Sequence, residues 1–457
     1  MKNSPWTIQE IRHQAQSLVG KTIKEIKSSY SISAKVKGSI GQIIENGAFS
    51  YTPNSSKAAD FEEAGVELKV TPLIRLRNGK CSAKERLVLN IINYMNEVHY
   101  EFQTSSFWTK NKTIEIIFYE YVKDQHPEDY RIVYEYLHEF SSKDLMIIRA
   151  DWETIVNKIK AGLAHELSEG DTMYLGAVTK GANNKHLREQ PYSDVKAMQR
   201  AFSLKTTYMT KVLRQKVCNQ NEVQQEELIS EAELKSKSFE EIIQDKILLY
   251  KNESVENLIR KFQISTSSKS KLVLLVGNLL GIRGQVNQTD EFQKANIQIK
   301  TIRLNLRNQI KESMSFPAFK YEELVEEDWE TSSLRSRFVE NKYLFVVFKE
   351  LPNGDYVIWD AKFWNMKPSD LDGDVQMVWE DTKQKIKNGE VYKDDGRTYR
   401  YHFLPKSKTS IIHVRPHGQN RDDTFKLPVK DKLTGKQDAV KMCFFLNNNY
   451  ILSQIKN

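Results

Sequence analysis

Asp60-Phe61-Glu62-Glu63-Ala64-Gly65-Val66-Glu67-Leu68-Lys69-Val70-Thr71-Pro72 is the stretch that decides how the chain is read. It reads as a turn or short strand leading into a β-strand. Strand side chains alternate between faces, so Glu67 and Lys69 point one way and Val66, Leu68 and Val70 the other. The apolar face can bury against a core while the other carries an acid and a base side by side. Asp60 arrives from just upstream. Two converging carboxylates with an ammonium two residues on make a minimal divalent-metal site, because Mg²⁺ takes hard oxygen ligands and keeps several waters. Such a metal polarises a phosphoryl oxygen and makes a bound water more acidic. Lys69 can orient the attacking water or stabilise charge building on phosphorus. This is the chemistry of phosphodiester hydrolysis.

Taken alone, Asp-x(6)-Glu-x-Lys also fits a solvated strand with an ion pair on its outer face, since short motifs recur by chance. An internal repeat adds weight to the first reading. The stretch Asp60 to Lys69 recurs as Glu291-Phe-Gln-Lys-Ala-Asn-Ile-Gln298-Ile-Lys300, and Trp152-Glu-Thr-Ile-Val-Asn-Lys-Ile-Lys-Ala-Gly162 as Trp379-Glu-Asp-Thr-Lys-Gln-Lys-Ile-Lys-Asn-Gly389. Lys180-Gly-Ala-Asn183 matches His417-Gly-Gln-Asn420, and Phe202 to Tyr208 matches Phe444 to Tyr450, in the same order. In the second copy Gln298 replaces Glu67 and Glu291 replaces Asp60. Glutamine offers a carbonyl oxygen without charge, so Mg²⁺ should bind there poorly. One live nuclease domain followed by a decayed twin is the expectation.

Length and composition fit that picture. A chain of 457 residues is expected to form two or three domains, each with its own core. The net charge of +8, with 28% charged residues, suits a polyanionic partner without proving one. Cys81, Cys218 and Cys443 are far apart in sequence and lack CxxC spacing, which argues against disulfides and zinc. The start, Met-Lys-Asn-Ser-Pro-Trp, has no apolar leader, and no run approaches the roughly 18 apolar residues of a membrane span. A soluble, cytoplasmic protein without membrane partners is expected.

Along the chain, residues 7 to 30 and 38 to 49 carry helical periodicity, the second placing Glu45 beside Ile40, Ile43 and Ile44. Strands are predicted at Val66–Leu73, Leu87–Ile92, Ile114–Tyr119 and Tyr174–Val178. A helix from Asp151 to Ala164 would take Asp151 as its N-cap. The predicted fold is α/β, a mixed sheet flanked by helices, present twice. Residues 1–218 form the catalytic domain, 219–270 a charged helical linker, and 271–457 the decayed DNA-binding or regulatory domain.

The same stretches resemble the MutH-like GATC endonucleases, which include a mismatch-repair nicking enzyme and the GATC-cutting type II restriction enzymes of Gram-positive bacteria. The likeness covers Gly41-Gln-Ile-Ile-Glu45, Asp60 to Lys69, Lys84 to Tyr94, His165 to Gly170, Thr179 to Asn183 and Gln190 to Asp194. Ser313 to Phe316, Lys362 to Met366 and His413 to His417 extend it into the second half. The resemblance implies that Asp60, Glu67 and Lys69 are the catalytic core, with Asp60 and Glu67 holding Mg²⁺. It makes Glu45 a further acidic ligand and puts Lys37 and Lys110 near the scissile phosphate. It implies a restriction-endonuclease-like fold in tandem, pseudo-dimeric within one chain.

DNA recognition needs cations for phosphates and a few groups that reach base edges. The loop Thr179 to Asn184 is the candidate: Lys180 can meet guanine or phosphate and Asn183 can pair with adenine. The resemblance places the family's base-reading loop here, although its Arg-Pro is Val178-Thr179 in this copy and its tyrosine is Ser203. Ser203 and Lys205 are carried over as DNA-facing on the same ground. The second copy keeps Arg415-Pro416, so Arg415 and His417 are candidates for DNA binding without cutting. His165-Glu166 lacks a second histidine at ligand spacing. Trp152 and Trp379 read as core anchors, and Glu85 with Arg86 as a structural ion pair.

The reading is a type II restriction endonuclease that uses Mg²⁺ and cuts double-stranded DNA at GATC, on the 5′ side of the guanine. The resemblance supplies the site and the restriction-modification setting, in which a cognate DNA methyltransferase is the genetic partner. One active centre cuts one strand, so two copies are expected to self-associate on DNA, the second domain binding a further GATC as effector. The alternatives are a mismatch-repair nicking endonuclease and a non-catalytic DNA-binding protein.

Overall fold

The computed structural model describes residues 5–30, 39–51, 58–180, 186–220, 227–265, 270–282 and 286–456, with only the backbone at Gln288. Thr7, Thr22 and Ser39 start three helices in the same way. Each side-chain oxygen accepts the backbone N–H three residues on, and the Glu or Gln there reaches back to the cap. Donors that the first helical turn leaves open are thereby satisfied. The helices are α1 (Ile8–Leu18), α2 (Ile23–Ser29) and α3 (Ile40–Gly47). The helical stretch read over residues 7 to 30 is two helices, parted at Gly20, whose φ of 90° a helix cannot contain.

Next come β1 (Val66–Arg75), β2 (Cys81–Ala83), β3 (Leu87–Ile91), β4 (Thr113–Glu120) and β5 (Arg131–Glu139). One sheet has the order β2-β1-β4-β5, with β1 parallel to β4 and the other pairs antiparallel. Val66, Leu68, Ile117 and Ile132 bury with Ile11, Leu18, Ile26 and Ile44 of the three helices. That packing fixes which face of β1 is apolar and turns Glu67 and Lys69 to the opposite face. β6 (Leu175–Thr179), β7 (Leu187–Gln190), β8 (Ser193–Met198) and β9 (Arg200–Leu204) follow. They give an antiparallel sheet β3-β9-β6 and a hairpin β7-β8.

Asp151 is not an N-cap. Its helix runs Ser142–Lys160 and is capped by Ser141, so Asp151 sits in mid-helix, buried. Its carboxylate accepts the backbone N–H groups of Met173, Tyr174 and Leu175 at 2.6, 2.6 and 2.9 Å. It thus satisfies the donors that lead into β6, a tertiary role that a cap-like sequence position does not reveal. Arg86 pairs with Glu169 rather than with its neighbour Glu85. Adjacent side chains on an extended chain point apart. The three cysteines are free, but the fold brings Cys218 within hydrogen-bonding reach of Cys81 despite their separation in sequence.

The chain divides into Met1–Ile242 with Asn287–Asn296, and Ile243–Val286 with Ile297–Asn457. The polar stretch that follows Cys218 carries helices at Glu231–Leu234, Phe239–Leu248 and Val255–Lys261, which bury Ile243, Ile247 and Leu258.

The second unit has β10 (Ile297–Leu304), β11 (Met314–Ser315), β12 (Lys342–Glu350) and β13 (Tyr356–Trp364). β10 runs parallel to β12 and β12 antiparallel to β13, the same arrangement as β1, β4 and β5. Both antiparallel pairs even slip register at a matching place, after Phe118 in β4 and after Val347 in β12. β11 joins strands Met442–Leu446 and Ile412–Pro416 in a three-stranded sheet like β3-β9-β6. Mixed sheets flanked by helices thus occur in tandem.

The sequence match of Glu291 to Asp60 does not carry over to the backbone. Asp60 precedes a turn through Gly65, at φ 65°, whereas Glu291 lies in a helix, Asp290–Ala295, that ends at left-handed Asn296. Glu291 is buried and pairs with Lys143 at 2.7 Å in the first unit. Among the described residues, no helix is long and apolar enough to cross a membrane.

Candidate active site

The acids meet because β1 and the segment before it are laced together. Phe61 bridges to Val66, its N–H reaching the Val66 carbonyl at 3.0 Å. The Asp60 backbone N–H donates to Glu67 Oε2 at 3.1 Å, and the Leu68 N–H donates to Asp60 Oδ2 at 3.1 Å. The other oxygens, Asp60 Oδ1 and Glu67 Oε1, face the lysines of the site. Lys69 donates to Glu67 Oε1 at 2.5 Å.

Lys110 comes from a different element. It sits in the helix Ser106–Asn111, capped by Ser105, which runs into β4. Parallel pairing sets Glu67 opposite Ile114, so the end of that helix lies beside the β1 acids. Lys110 Nζ is 3.6 Å from Glu67 Oε1 and 4.0 Å from Asp60 Oδ1. Glu45 approaches from α3. Burial raises its pKa, as do the charges of Asp60 and Glu67, against the opposing pull of Lys69 and Lys110. Glu67 is 1% exposed, and burial raises its pKa as well, with Lys69 opposing and Asp60 reinforcing.

Three carboxylates against two ammonium groups leave the cluster one positive charge short, or more if Lys69 and Lys110 turn to a substrate. Hard oxygen donors around a charge deficit suit Mg²⁺. Among the described residues no three His, Cys, Asp or Glu side chains close in tightly enough to cage a metal by themselves. A site of two carboxylates completed by waters and a phosphate does not require such a cage. Asp60 and Glu67, with Glu45 behind them, are the groups that fit the ion.

Tyr51 joins the site without a signal in the sequence. It follows Ser50, at φ 51°, and its hydroxyl hydrogen-bonds the Asp60 carboxylate, holding the Tyr51 pKa well above normal through burial and acid charges. No spacing rule links residue 51 to residue 60; only the loop path brings them together.

The expected DNA-facing residues divide three ways. Lys180 stands exposed at the end of β6, its backbone N–H tied to the Gln199 carbonyl at 2.8 Å. Arg415 and His417 are exposed at the end of the strand Ile412–Pro416, the Arg415 guanidinium 4.0 Å from the centre of the Phe445 ring. Lys37 and Asn183 lie outside the described residues. Ser203 and Lys205 are corrected: both are buried. Ser203 sits inside β9, and Lys205 spends its ammonium on the Thr172 carbonyl at 2.6 Å. In this conformation neither presents a polar group to a duplex. His165 hydrogen-bonds Gln190 at 3.0 Å, and Trp152 and Trp379 are buried, as their reading as core anchors requires.

Comparison with known proteins places this geometry. Residues 49–151, which hold Asp60, Glu67, Lys69 and Lys110, match the family described as DNA mismatch repair enzyme MutH. The chain is 40% identical to the type II restriction enzyme Sau3AI of Staphylococcus aureus, over 99% of both proteins. It is 23% identical to the DNA mismatch repair protein MutH of Pasteurella multocida, over 46% of this chain and 97% of that protein. The Vibrio cholerae MutH protein is 25% identical over 47% of this chain and 98% of its own length. The mismatch-repair proteins thus match a stretch of about one unit, whereas the restriction enzyme matches end to end. The chain belongs to the MutH-like type II restriction endonucleases, site-specific deoxyribonucleases.

Proposed function

We propose that the first unit hydrolyses double-stranded DNA at GATC, on the 5′ side of the guanine, with Mg²⁺, and that the second unit binds DNA without cutting it. The observation that carries the chemistry is the convergence of Asp60, Glu67, Lys69 and Lys110 from β1, its upstream turn and a separate helix. Bound Mg²⁺ supplies charge stabilisation to the phosphoryl oxygens and a more acidic water. Asp60 and Glu67 hold the ion, with Glu45 assisting and Tyr51 fixing the Asp60 carboxylate. Lys69 orients the attacking water, and Lys110 turns its charge to the phosphate as negative charge builds. Lys180 and the loop after it approach the bases.

In the second unit Gln298 stands at the β1 acid position, which supports loss of metal binding there. Two chains then pair on DNA to cut both strands, and a cognate methyltransferase protects the host genome. The test is digestion of unmethylated plasmid carrying several GATC sites, with Mg²⁺ or EDTA, beside Glu67→Ala. Discrete fragments ending in GATC, lost in EDTA and in the variant, are expected. Nicked circles alone would favour the mismatch-repair type of reaction, and intact plasmid with salt-sensitive binding would reduce the protein to a DNA binder.

A further inference from the structure

The second unit keeps the cations of the hydrolytic centre and has lost its acids. On β10, Gln298 and Lys300 pair with Tyr343 and Phe345 of β12, as Glu67 and Lys69 pair with Ile114 and Ile116 of β4. The helix before β12, Ser333–Glu340, is capped by Ser332 as the helix before β4 is capped by Ser105. The flanking sequences agree, Thr104-Ser105-Ser106 with Thr331-Ser332-Ser333. Counted from these caps, Arg337 holds the position of Lys110.

In the first unit both ammonium groups have carboxylate partners. Lys300 and Arg337 have neither a side-chain hydrogen bond nor an ion pair among the described residues. The undescribed residues of this unit, 266–269, 283–285 and 457, include no Asp or Glu. Lys300 lines a cavity of about 430 Å³ at the β10 edge, together with Lys271, Arg303 and Lys311. Arg303 is taken up by Glu312 at 3.3 Å and Lys311 by Glu350 at 3.8 Å. Lys300 Nζ lies 5.5 Å from the centre of the Phe316 ring, and Phe316 in turn borders the cavity that Arg337 lines. Burial and the charge of Arg337 lower the Lys300 pKa.

Two partly buried like charges with no paired carboxylate cost stability, which a bound anion would offset. Glu323 and Glu327 also line the Arg337 cavity, without an ion pair to Arg337 among the described residues. We propose that Lys300 and Arg337 form a phosphate site, in which the second unit grips a phosphodiester of duplex DNA that it cannot cut. This rests on the reading of the second unit as DNA-binding. It adds where the grip lies and which groups make it: an ammonium as point charge and a guanidinium able to bond two phosphate oxygens.

The test uses the full chain carrying Glu67→Ala, in EDTA, so that no duplex is cut. Titration of dilute chain with a large excess of short GATC duplex, so that no duplex is shared between two chains, is expected to give two duplexes per chain, and one when Lys300→Met and Arg337→Met are added. Lys300→Arg with Arg337→Lys should restore two. The Met variant should also melt higher than its parent in phosphate-free buffer, because the repulsion is gone, while added inorganic phosphate raises the melting temperature of the parent alone. One duplex per chain in the parent overturns the reading of the second unit itself. Two duplexes in parent and Met variant alike overturn the site while leaving that reading intact. Loss of the phosphate effect with two duplexes retained would assign the cavity to free phosphate and overturn DNA as its occupant.

Discussion

Lys110 Nζ stands 3.6 Å from Glu67 Oε1, joining a helix that precedes one strand to the start of the neighbouring strand. In sequence the two residues are far apart, and the parallel pairing of β1 with β4 brings them together. Replacing Lys110 by Ala should lower the cleavage rate at saturating Mg²⁺. Substrate binding should lose about one unit of the logarithmic salt slope, the share of one phosphate contact. Lys110→Arg should keep the slope. Single-turnover cleavage and anisotropy across a KCl series read the two effects.

Glu67 is buried, and burial raises its pKa. Glu67→Gln keeps the shape and removes a charge that the fold holds at a cost. Cleavage is expected to fall by more than about 100-fold, since even outer-shell partners of a metal are worth 10–100-fold. The melting temperature without metal should hold or rise. A variant that retains cleavage would remove Glu67 from the metal site.

Glu115 lies fully buried on β4, on the same sheet face as Leu68, where its protonated form can donate to the Glu135 carboxylate. Burial, then the charge of Glu135, push its pKa far up, with Arg12 opposing weakly. An acid whose folded pKa is raised favours the fold while protonated, and that contribution drains away as pH climbs above the ordinary carboxylate range. Glu115→Gln should therefore match the parent near pH 4 and melt several degrees higher at pH 8, at about 2–4 °C per kcal/mol for a unit of this size. Melting curves from pH 4 to 9 check it.

His138 behaves in the opposite sense. It is buried on β5 among Phe140, Tyr136 and Tyr208, with neither ring nitrogen bonded among the described residues. Burial, reinforced by Lys294, lowers its pKa to about 4. A depressed histidine contributes stability that is present above the ordinary value of 6.5 and lost as pH falls toward 4. His138→Phe should flatten the loss of melting temperature between pH 7 and 4.5, and an unchanged slope would place the acid sensitivity elsewhere.

Lys294 donates to both Asp144 oxygens, at 2.9 and 3.0 Å, and lies 2.9 Å from Asp290. Asp144 also accepts the Tyr208 hydroxyl at 3.2 Å. Removing one partner of such a buried set costs about 3–5 kcal/mol. Lys294→Ala should destabilise the first unit by that order in urea unfolding. A fragment ending at residue 242 lacks the helix Asp290–Ala295 altogether and should show the same loss.

The sequence by itself determined the strand that carries Glu67 and Lys69, its apolar face and its acid-base face, because period-two alternation is local. The repeat was equally legible, since it is a property of residue order, as was the neutral Gln298 at the position of Glu67. The tertiary structure decided what depends on chain paths. Tyr51 reaches Asp60 through a loop whose course no spacing rule gives. Asp151, cap-like in sequence, became the acceptor for three backbone donors of another element. Ser203 and Lys205 were expected to face DNA and are buried, because β9 is covered on both faces and Lys205, just beyond it, turns its ammonium to the Thr172 carbonyl. Glu291 aligned with Asp60, yet it lies in a helix, Asp290–Ala295, although both copies keep a left-handed residue before the strand, Gly65 and Asn296. Periodicity is written residue by residue, whereas neighbours are set by packing between segments that are far apart in the chain.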